Sequence, residues 1–579
     1  MSARSSYLVG KAFRSFLLAS VLTAAASQLG NLIDGLMLSR FINEGAMSSI
    51  NITTPVTQVM FALCVLIGVG GSMLAGMAIG GHCRDEASVI FSQVAATSAG
   101  VGLLIAMAGM IFFRPLVSLL CPDTGLQGYT GDYLEVIIPA APVYMVMVVL
   151  QTFVTLDGEP RRVTAAVAVS TVVNLGLDYI FIVPFDMGVT GAALATLASY
   201  VAALGVLLPH FRKQGALVFR LPRRMSRIKE VASMGMPFGI ATVLIAVQML
   251  GNNLVAMDFL GAAGIVSLSV CMYLLRFSMI ILTGTLESFQ PVAAILKGSG
   301  DNRGVALVLG RAYLFLACSL AALALVLILF PGWIISLFSI DDPAYVDMMK
   351  VALPAFAFNI IMQCAVYLLI PVYQLYNHRK LSLVISFGQP LMPMICFAAM
   401  SIMMSNGYDV NPWWGFAAGQ LLVAVIVAPF AFAQKGKHVP FVLIPHENPD
   451  EIYDVSLRPD FGEMQRALIA ADRWLASKNV DAELRNRVIV TIEETVKNVI
   501  RHGLARKKRS AIDVRLSFGA DLIKGVVHDE GTPFNPVEQD PGTGIGLLIM
   551  HKACDAADYE YLFRQNLLRL EWRRHCTVE

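Results

Sequence analysis

Long apolar runs separated by short polar connections fill this chain up to about residue 433. A bilayer core requires about 20 apolar residues per helix, and on this measure the pattern predicts about twelve membrane spans. The predicted spans cover residues 15–38, 53–79, 89–113, 134–156, 163–183 and 189–208, and then 238–260, 265–296, 305–330, 352–373, 381–404 and 413–433.

The composition agrees with a membrane class. Of 579 residues, 56% are hydrophobic and only 15% are charged, whereas a soluble protein of this length would carry more charge. The formal net charge of +2 indicates no class of partner, and no nucleic-acid partner is expected. The nine cysteines form no CxxC pair, so neither disulfides nor a metal site are predicted from them.

The charges of the connections predict the orientation of the spans. Every second connection is basic, as at Arg161-Arg162 and in the long 212–229 segment, while the alternate connections carry mostly acids. Lys and Arg concentrate on the cytoplasmic side of membrane proteins. We therefore expect both termini to lie in the cytoplasm.

Two sequence echoes indicate an internal duplication. The segment that starts at Gly80, after the second span, is echoed by the one that starts at Lys297, after the eighth span, and Arg161-Arg162 is echoed by Arg379-Lys380. Halves of six spans each would insert with the same topology, related by an axis along the membrane normal. The predicted domains are a first six-helix bundle (1–215), a second bundle (216–434), a linker (435–453) and a cytoplasmic domain (454–579).

Several motifs in the apolar part resemble the multidrug and toxic compound extrusion (MATE) family. They are Asn31-Leu-Ile-Asp34-Gly-Leu in the first span, Gly158-Glu-Pro-Arg, Asn174-Leu-Gly-Leu-Asp178, Gly188-Val-Thr-Gly191 and Gln290-Pro291. The resemblance implies two six-helix bundles around a central cleft. It also implies export of small organic, often cationic, compounds driven by H⁺ or Na⁺.

Ionisable side chains inside spans are costly, and they are candidates for the transport cleft. Asp34 would hold Na⁺ or a proton, or face a cationic substrate; the alternative is a carboxylate that caps a helix at the membrane interface. Asp178 follows Asn174 by four residues, so the two share a helix face. Hydrogen bonding between helices is the alternative for this pair.

The eighth span carries Arg276, Glu287 and Gln290 as further cleft candidates. Arg276 and Glu287 share a face but lie about 16 Å apart along the axis, too far to pair. Arg276 therefore needs another partner, such as Asp34 or an anionic ligand. An arginine in the cleft fits poorly with a pure cation pump.

From about residue 440 the chain becomes charged, and its pattern changes to short strands and helices. A strand leads into a helix near 454–466, a second helix covers 483–503, and strands follow at 512–518 and 522–528. A helix from about 545 and final strands near 559–563 and 567–573 complete the pattern. It predicts an α+β sandwich, with one mixed sheet and helices on one face, behind an all-α polytopic membrane part.

Three polar motifs in this region predict an ATP site. Glu494 and Asn498 lie one helical turn apart and suit a general base and a Mg²⁺ ligand; the alternative for Glu494 is a solvated helix charge. Asp529, before Gly531 at the end of a strand, can accept a hydrogen bond from an adenine amino group. The glycine-rich run before a helix N-terminus favours phosphate binding, and its members are Gly542, Thr543, Gly544, Ile545 and Gly546.

This region, about 454–572, resembles the GHKL ATPase superfamily, and within it the serine kinases that act as anti-sigma factors. The resemblance implies ATP and Mg²⁺ as cofactors, with Mg²⁺ on Asn498, adenine on Asp529, and Glu494 as the base toward a serine of a partner protein. That partner would be a soluble anti-sigma-antagonist (STAS-like) protein, and kinases of this branch commonly form homodimers. Nucleotide binding without catalysis is the alternative for this domain.

Three functions follow as hypotheses. The first is an ion-coupled MATE-like exporter in the bacterial inner membrane, controlled by a cytoplasmic ATP-binding domain. The second is a receptor whose membrane part binds a ligand and controls a protein serine kinase. The third is a scaffold in which the domain binds nucleotide or a sigma-like partner without catalysis. No G-x-x-x-x-G-K-[ST] motif occurs in the chain, so ATP is not expected to power transport directly.

Overall fold

The structure is a computed structural model that forms two compact units. It describes residues 7–42, 44–121, 124–212, 217–222, 224–338, 342–433, 442–445, 448, 450–504, 510–519, 521–539 and 545–574. The helical unit consists of Phe16–Gly300 and Leu309–Ile444, and the sheet unit of Met1–Ser15, Asp301–Val308 and Pro445–Glu579. Most of the predicted linker lies outside the described residues, and the predicted division into two six-helix bundles stays a prediction.

Sixteen α-helices run through the described part of the chain before the first strand. They are α1 (Tyr7–Phe41), α2 (Glu44–Gly80), α3 (Arg84–Ile111), α4 (Phe113–Leu120), α5 (Thr124–Ile137), α6 (Ala141–Leu156), α7 (Pro160–Ile182), α8 (Gly188–Leu207), α9 (Ile228–Val255), α10 (Gly261–Gly298), α11 (Asn302–Leu329), α12 (Pro331–Leu337), α13 (Pro343–Tyr367), α14 (Leu369–Leu375), α15 (Arg379–Ser405) and α16 (Trp414–Ala433).

These helices make the chain an integral membrane protein. In the described residues, nine helical stretches are long and apolar enough to cross a bilayer, or ten if the pair α5–α6, bent by 58°, forms one span. One of these stretches, Ile228–Gly298, covers two of the predicted spans, and Trp414–Phe430 is a shorter apolar helix. Each predicted span falls on one of these helices or on the bent pair. The polytopic all-α prediction is therefore confirmed.

Glycines bring α2 against α9 and α10. A Cβ on Gly235 of α9 would lie 1.7 Å from the backbone oxygen of Leu66, and a Cβ on Gly70 of α2 would lie 2.2 Å from that of Val231. Farther along α2, a Cβ on Gly80 would lie 1.9 Å from the backbone oxygen of Ile295. Glycine is required at these positions because any side chain would separate the helix backbones.

In its described residues, the sheet unit has five strands and three longer helices. The strands are β1 (Ile452–Leu457), β2 (Ile512–Phe518), β3 (Leu522–Asp529), β4 (Ala556–Leu562) and β5 (Gln565–Arg573), in the order β1-β2-β3-β5-β4. The helices are α17 (Phe461–Ser477), α18 (Ala482–Asn498) and α19 (Ile545–Ala553). Side chains alternate along each strand, and one set, including Val455, Leu516, Val527 and Leu570, joins residues of all three helices in one buried core.

The α+β prediction is confirmed, but the prediction of a mixed sheet is wrong. All four strand pairs are antiparallel. The order of the elements explains this, because two helices separate β1 from β2, and a helix and a strand separate β3 from β5. Each connection therefore returns the chain in the opposite direction to the strand that it joins.

Candidate functional site

The C-terminal turn of α18 presents two of the predicted polar side chains on one face. Glu494 and Asn498 are both half-buried. Lys497 lies 3.0 Å from Glu494 and 2.7 Å from Glu493, Nζ to Oε1 in each case. These hydrogen bonds, with Glu493 and then Glu494, raise the pKa of Lys497 above its usual value. Lys497 thus balances the charge of a carboxylate pair at the edge of the site.

The helix changes its winding directly after Asn498. Residues Val499–Gly503 form a single π-helical turn. Such single π turns are frequent at functional sites. The turn brings Gly503 to the loop after β3, where the Thr532 N–H donates to the Gly503 carbonyl at 3.4 Å.

The carboxylate of Asp529 is held at the end of β3. It is 4% exposed, and its Oδ1 accepts hydrogen bonds from the Gly531 N–H at 2.7 Å and from Asn566 Nδ2 at 2.8 Å. A Cβ on Gly531 would lie 2.7 Å from that Oδ1 and 2.9 Å from the Cα of Gly503. Only a glycine therefore lets the loop fold over the carboxylate while the π turn approaches.

The described part of the glycine-rich run is its end, at the start of helix α19. Gly542, Thr543 and Gly544 lie outside the described residues. Helix α19 begins at Ile545 and includes Gly546, and the side chain of Ile545 is outside the described part. The predicted helix start after the glycines is therefore present in the structure, whereas the predicted phosphate contacts stay a prediction.

In the helical unit, Asn174 and Asp178 lie on α7 and are both buried, with Asp178 1% exposed. Their spacing of four residues places them on one face of the helix. Asp34 lies on α1, and its side chain is outside the part that the structure describes.

The candidates on α10 have different surroundings. Gln290 is buried, and its Nε2 has no hydrogen-bond partner within the described residues. Glu287 is exposed while its neighbour Ser288 is buried. Arg276 is exposed and lies over the ring of Tyr273, 5.6 Å from the ring centroid. The residues of α10 therefore offer an orphaned amide and an accessible carboxylate about one turn apart.

Family models match the two regions separately. Residues 19–180 match the MatE model, and residues 457–572 match the model of the histidine kinase-like ATPase domain. This chain carries a MatE domain and a histidine kinase-like ATPase domain. The resemblances to the MATE family and to GHKL-type ATPases are thereby confirmed.

Curated proteins similar to this chain include bacterial multidrug export proteins. The chain is 26% identical over 297 residues to the multidrug export protein MepA of Staphylococcus haemolyticus (strain JCSC1435), covering 51% of this chain and 66% of that protein. It is 25% identical over 320 residues to MepA of Staphylococcus aureus (strain MRSA252), covering 54% and 71%. The chain thus spans about two thirds of the length of these relatives.

Solved structures share the fold of the helical part. A MOP superfamily transporter from Pyrococcus furiosus, whose reversed binding-pocket polarity is described as suggesting a different function, has a TM-score of 0.64 at 19% identity. It covers 72% of this chain and 93% of its own. An outward-facing multidrug resistance MATE transporter has a TM-score of 0.65 at 18% identity, with 74% and 97% covered. At these identities the likeness concerns the fold alone.

Two residues around Asp529 were not predicted from the sequence. Asn566 of β5 donates to Asp529, and Tyr559 of β4 donates from its hydroxyl to Asn566 Oδ1 at 2.7 Å. Burial raises the pKa of Tyr559 to about 12, so its phenol keeps the proton that it donates. Only the register of β5 with β3, where Asp529 is paired with Asn566, reveals this link.

Proposed function

We propose that this protein exports small organic compounds across the bacterial inner membrane, driven by H⁺ or Na⁺, under the control of ATP bound to its ATPase domain. The observation that carries the proposal is the presence, in a chain with a MatE domain, of a buried Asp529 carboxylate fixed by two donors in an ATPase domain. The multidrug export proteins among its relatives support the export part. Both termini would lie in the cytoplasm, where ATP is available.

Each side chain of the ATP site has a distinct role in this proposal. Asp529 would accept a hydrogen bond from the adenine amino group, and Asn498 would supply an oxygen ligand to Mg²⁺. The Gly542–Gly546 run would bind phosphates at the start of α19. The half-buried position of Asn498 beside Glu494 fits a hydrated Mg²⁺, because that ion prefers few protein oxygens and keeps several waters.

In the MatE domain, carboxylates would bind the coupling ion. Asp34 is the first candidate, and the buried Asn174–Asp178 pair is the second, because ionisable groups at such depth are costly unless they serve function. Glu287 and Gln290 of α10 would contact the organic substrate.

Dye efflux from efflux-deficient bacteria tests the proposal. We expect wild-type protein to export dye, Asp34→Asn to abolish export, and Asp529→Asn to change its rate without abolishing it. Asp472→Asn, at a half-buried carboxylate of α17 that pairs with Arg485, serves as the matched control for Asp529→Asn. Well-expressed wild-type protein that exports neither cationic nor anionic dyes contradicts the exporter function.

The second candidate function is a receptor that controls a serine kinase. The observation that favours it is Arg276, a cation on a membrane helix stacked on Tyr273, which suits an anionic ligand better than a cationic cargo. Glu494 would then act as the base toward a serine of a STAS-like protein, within a homodimer formed through the ATPase domain.

Two neighbouring carboxylates allow a matched test of the kinase. Glu493 and Glu494 both pair with Lys497, so Glu493→Gln alters the same charge cluster without removing the proposed base. We expect Glu494→Gln to lower phosphate transfer from ATP to a STAS-like protein about 10²–10⁴-fold, while Glu493→Gln retains it. Equal loss in both variants, or transfer by neither them nor wild type, contradicts the kinase function.

A further inference from the structure

We propose that the open face of the ATPase sheet, the face turned away from α17–α19, docks the start of α1, and that adenine binding on the opposite face is transmitted to this first membrane helix. The residues of this open face include Asp454, Arg515, Glu530 and Gln565. The inference rests on the proposed function, because it names the route by which the ATP site acts on the transporter.

Two buried polar side chains hold the first turns of α1. Glu530, 5% exposed, forms an ion pair with Lys11. Gln565, 7% exposed, donates from Nε2 to the backbone carbonyl of Leu8 at 2.9 Å. A buried carboxylate without its partner is strongly destabilising, so Glu530 requires Lys11 or an equivalent cation. Both contacts lie within the sheet unit, to which residues 1–15 belong.

The residue next to each of these two contacts in the sequence belongs to the adenine side. Asp529 ends β3 directly before Glu530, Asn566 follows Gln565 in β5, and Asp529 and Asn566 are paired in the ladder between β3 and β5. Successive side chains of a strand point to opposite faces. A single residue step therefore separates the carboxylate expected to bind adenine from the carboxylate that binds Lys11. A change in the Asp529–Asn566 pair on nucleotide binding moves both contacts with α1.

A second contact lies on the same face of the sheet. Arg515 of β2 binds Asp301, with 2.8 Å between Nη1 and Oδ1, and both side chains are largely buried. The same Oδ1 accepts the Gly304 N–H at 2.8 Å in the first turn of α11. Within the sheet unit, the open face therefore contacts the starts of two helices, α11 at β2 and α1 at the β3–β5 end.

Helix α1 is longer than a bilayer core is thick. Its 35 residues make about 52 Å of helix, whereas the hydrocarbon core is about 30 Å thick. The surplus of about 20 Å allows its first turns to project from the bilayer with Lys11. Asp34, the candidate for the coupling ion, lies on the same continuous helix. Nucleotide binding would thereby reach the helix that carries this candidate.

Cysteine cross-linking of the full-length protein tests the docking. In a variant with its native cysteines replaced, a short bismaleimide should cross-link Lys11→Cys to Glu530→Cys, because the two long side chains of this ion pair separate the backbones beyond disulfide reach. ATP with Mg²⁺ should change the yield. The control combines Lys11→Cys with Glu483→Cys, because Glu483 is exposed in the first turn of α18. That pair should not cross-link.

A charge swap tests the transmission. By reciprocity, a contact that senses ATP must also affect ATP affinity. We expect Lys11→Glu and Glu530→Lys each to shift the Kd for ATP by about five-fold or more, and the double variant to restore it. Arg473→Glu, an exposed position on α17, should leave the Kd unchanged.

The outcomes separate this inference from the function on which it rests. A folded, ATP-binding protein that forms no Lys11–Glu530 cross-link, or single charge variants whose Kd stays within about two-fold of wild type, overturn it. Wild-type protein that binds no ATP overturns the transmission together with the ATP part of the proposed function. Protein that binds ATP and cross-links but exports no dye contradicts only the exporter function.

Discussion

At the residue scale, the orientation of Asp529 depends on a chain of side chains. Tyr559 donates to Asn566, Asn566 donates to Asp529, and the Phe534 N–H donates to the Tyr559 oxygen at 3.1 Å. This series of hydrogen bonds fixes one oxygen of the Asp529 carboxylate and links it to the loop that follows β3. The position of Asp529 is thus set by β4 and β5, which lie more than twenty residues away in the sequence.

We predict that Asn566→Asp weakens ATP binding about ten-fold or more. The substitution replaces a donor 2.8 Å from Asp529 Oδ1 by a second carboxylate, and a hydrogen bond to a charged group contributes about 1.5–3 kcal/mol. Isothermal titration of the full-length protein with ATP measures the change. Asn479→Asp makes the same replacement at an exposed position and should retain the wild-type affinity. Equal affinities in the two variants contradict the positioning role.

At the element scale, apolar run length predicts where membrane helices lie but not where they break. The predicted span 134–156 is a bent pair, α5 and α6, with a 58° bend, and α6 has a proline in its first turn. When nearly every face of a helix is apolar, the periodicity carries no sign of a bend. The second difference is that the sheet is antiparallel and not mixed. Local patterns do not predict this, since the direction of each strand depends on the helices between strands.

The glycines between α2 and α9 carry a prediction of their own. Gly235→Ala would place a Cβ 1.7 Å from the Leu66 backbone oxygen, so the two helices must separate. Overpacking of this kind costs about 1–3 kcal/mol. We therefore expect a lower melting temperature in detergent and reduced dye export.

A glycine in open space provides the control for this prediction. A Cβ on Gly205 of α8 would meet no atom within 4 Å among the described residues. Gly205→Ala should leave the melting temperature unchanged or raise it slightly, because alanine favours helix over glycine by about 1 kcal/mol. A melting temperature for Gly235→Ala equal to that of Gly205→Ala would mean that α2 and α9 do not need this close approach.

At the scale of the whole molecule, the two kinds of site differ in how far the sequence reveals them. The ATP motifs are local, so Glu494, Asn498 and Asp529 are recognisable by spacing and are placed at helix and strand ends by the structure. Contacts such as Lys11–Glu530 join residues more than five hundred positions apart, and no local sequence pattern predicts them. In the proposed function, control of transport by ATP would depend on such contacts, because the motifs themselves only describe nucleotide binding.

The last prediction concerns what ATP does for transport. The chain has no P-loop motif, so an ion gradient should drive export without nucleotide, and ATP should only change the rate. In proteoliposomes with a H⁺ or Na⁺ gradient, we expect dye transport in the absence of ATP and a different rate when Mg²⁺ and ATP are present on the side of the ATPase domain. Chelation of Mg²⁺ should remove the effect of ATP while gradient-driven transport persists, since the proposed Mg²⁺ site is at Asn498 of the ATPase domain. Asp529→Asn should behave like wild-type protein without ATP in the same assay. Transport that requires ATP even with a gradient present would show that the ATPase domain supplies energy, and the regulatory role would then be wrong.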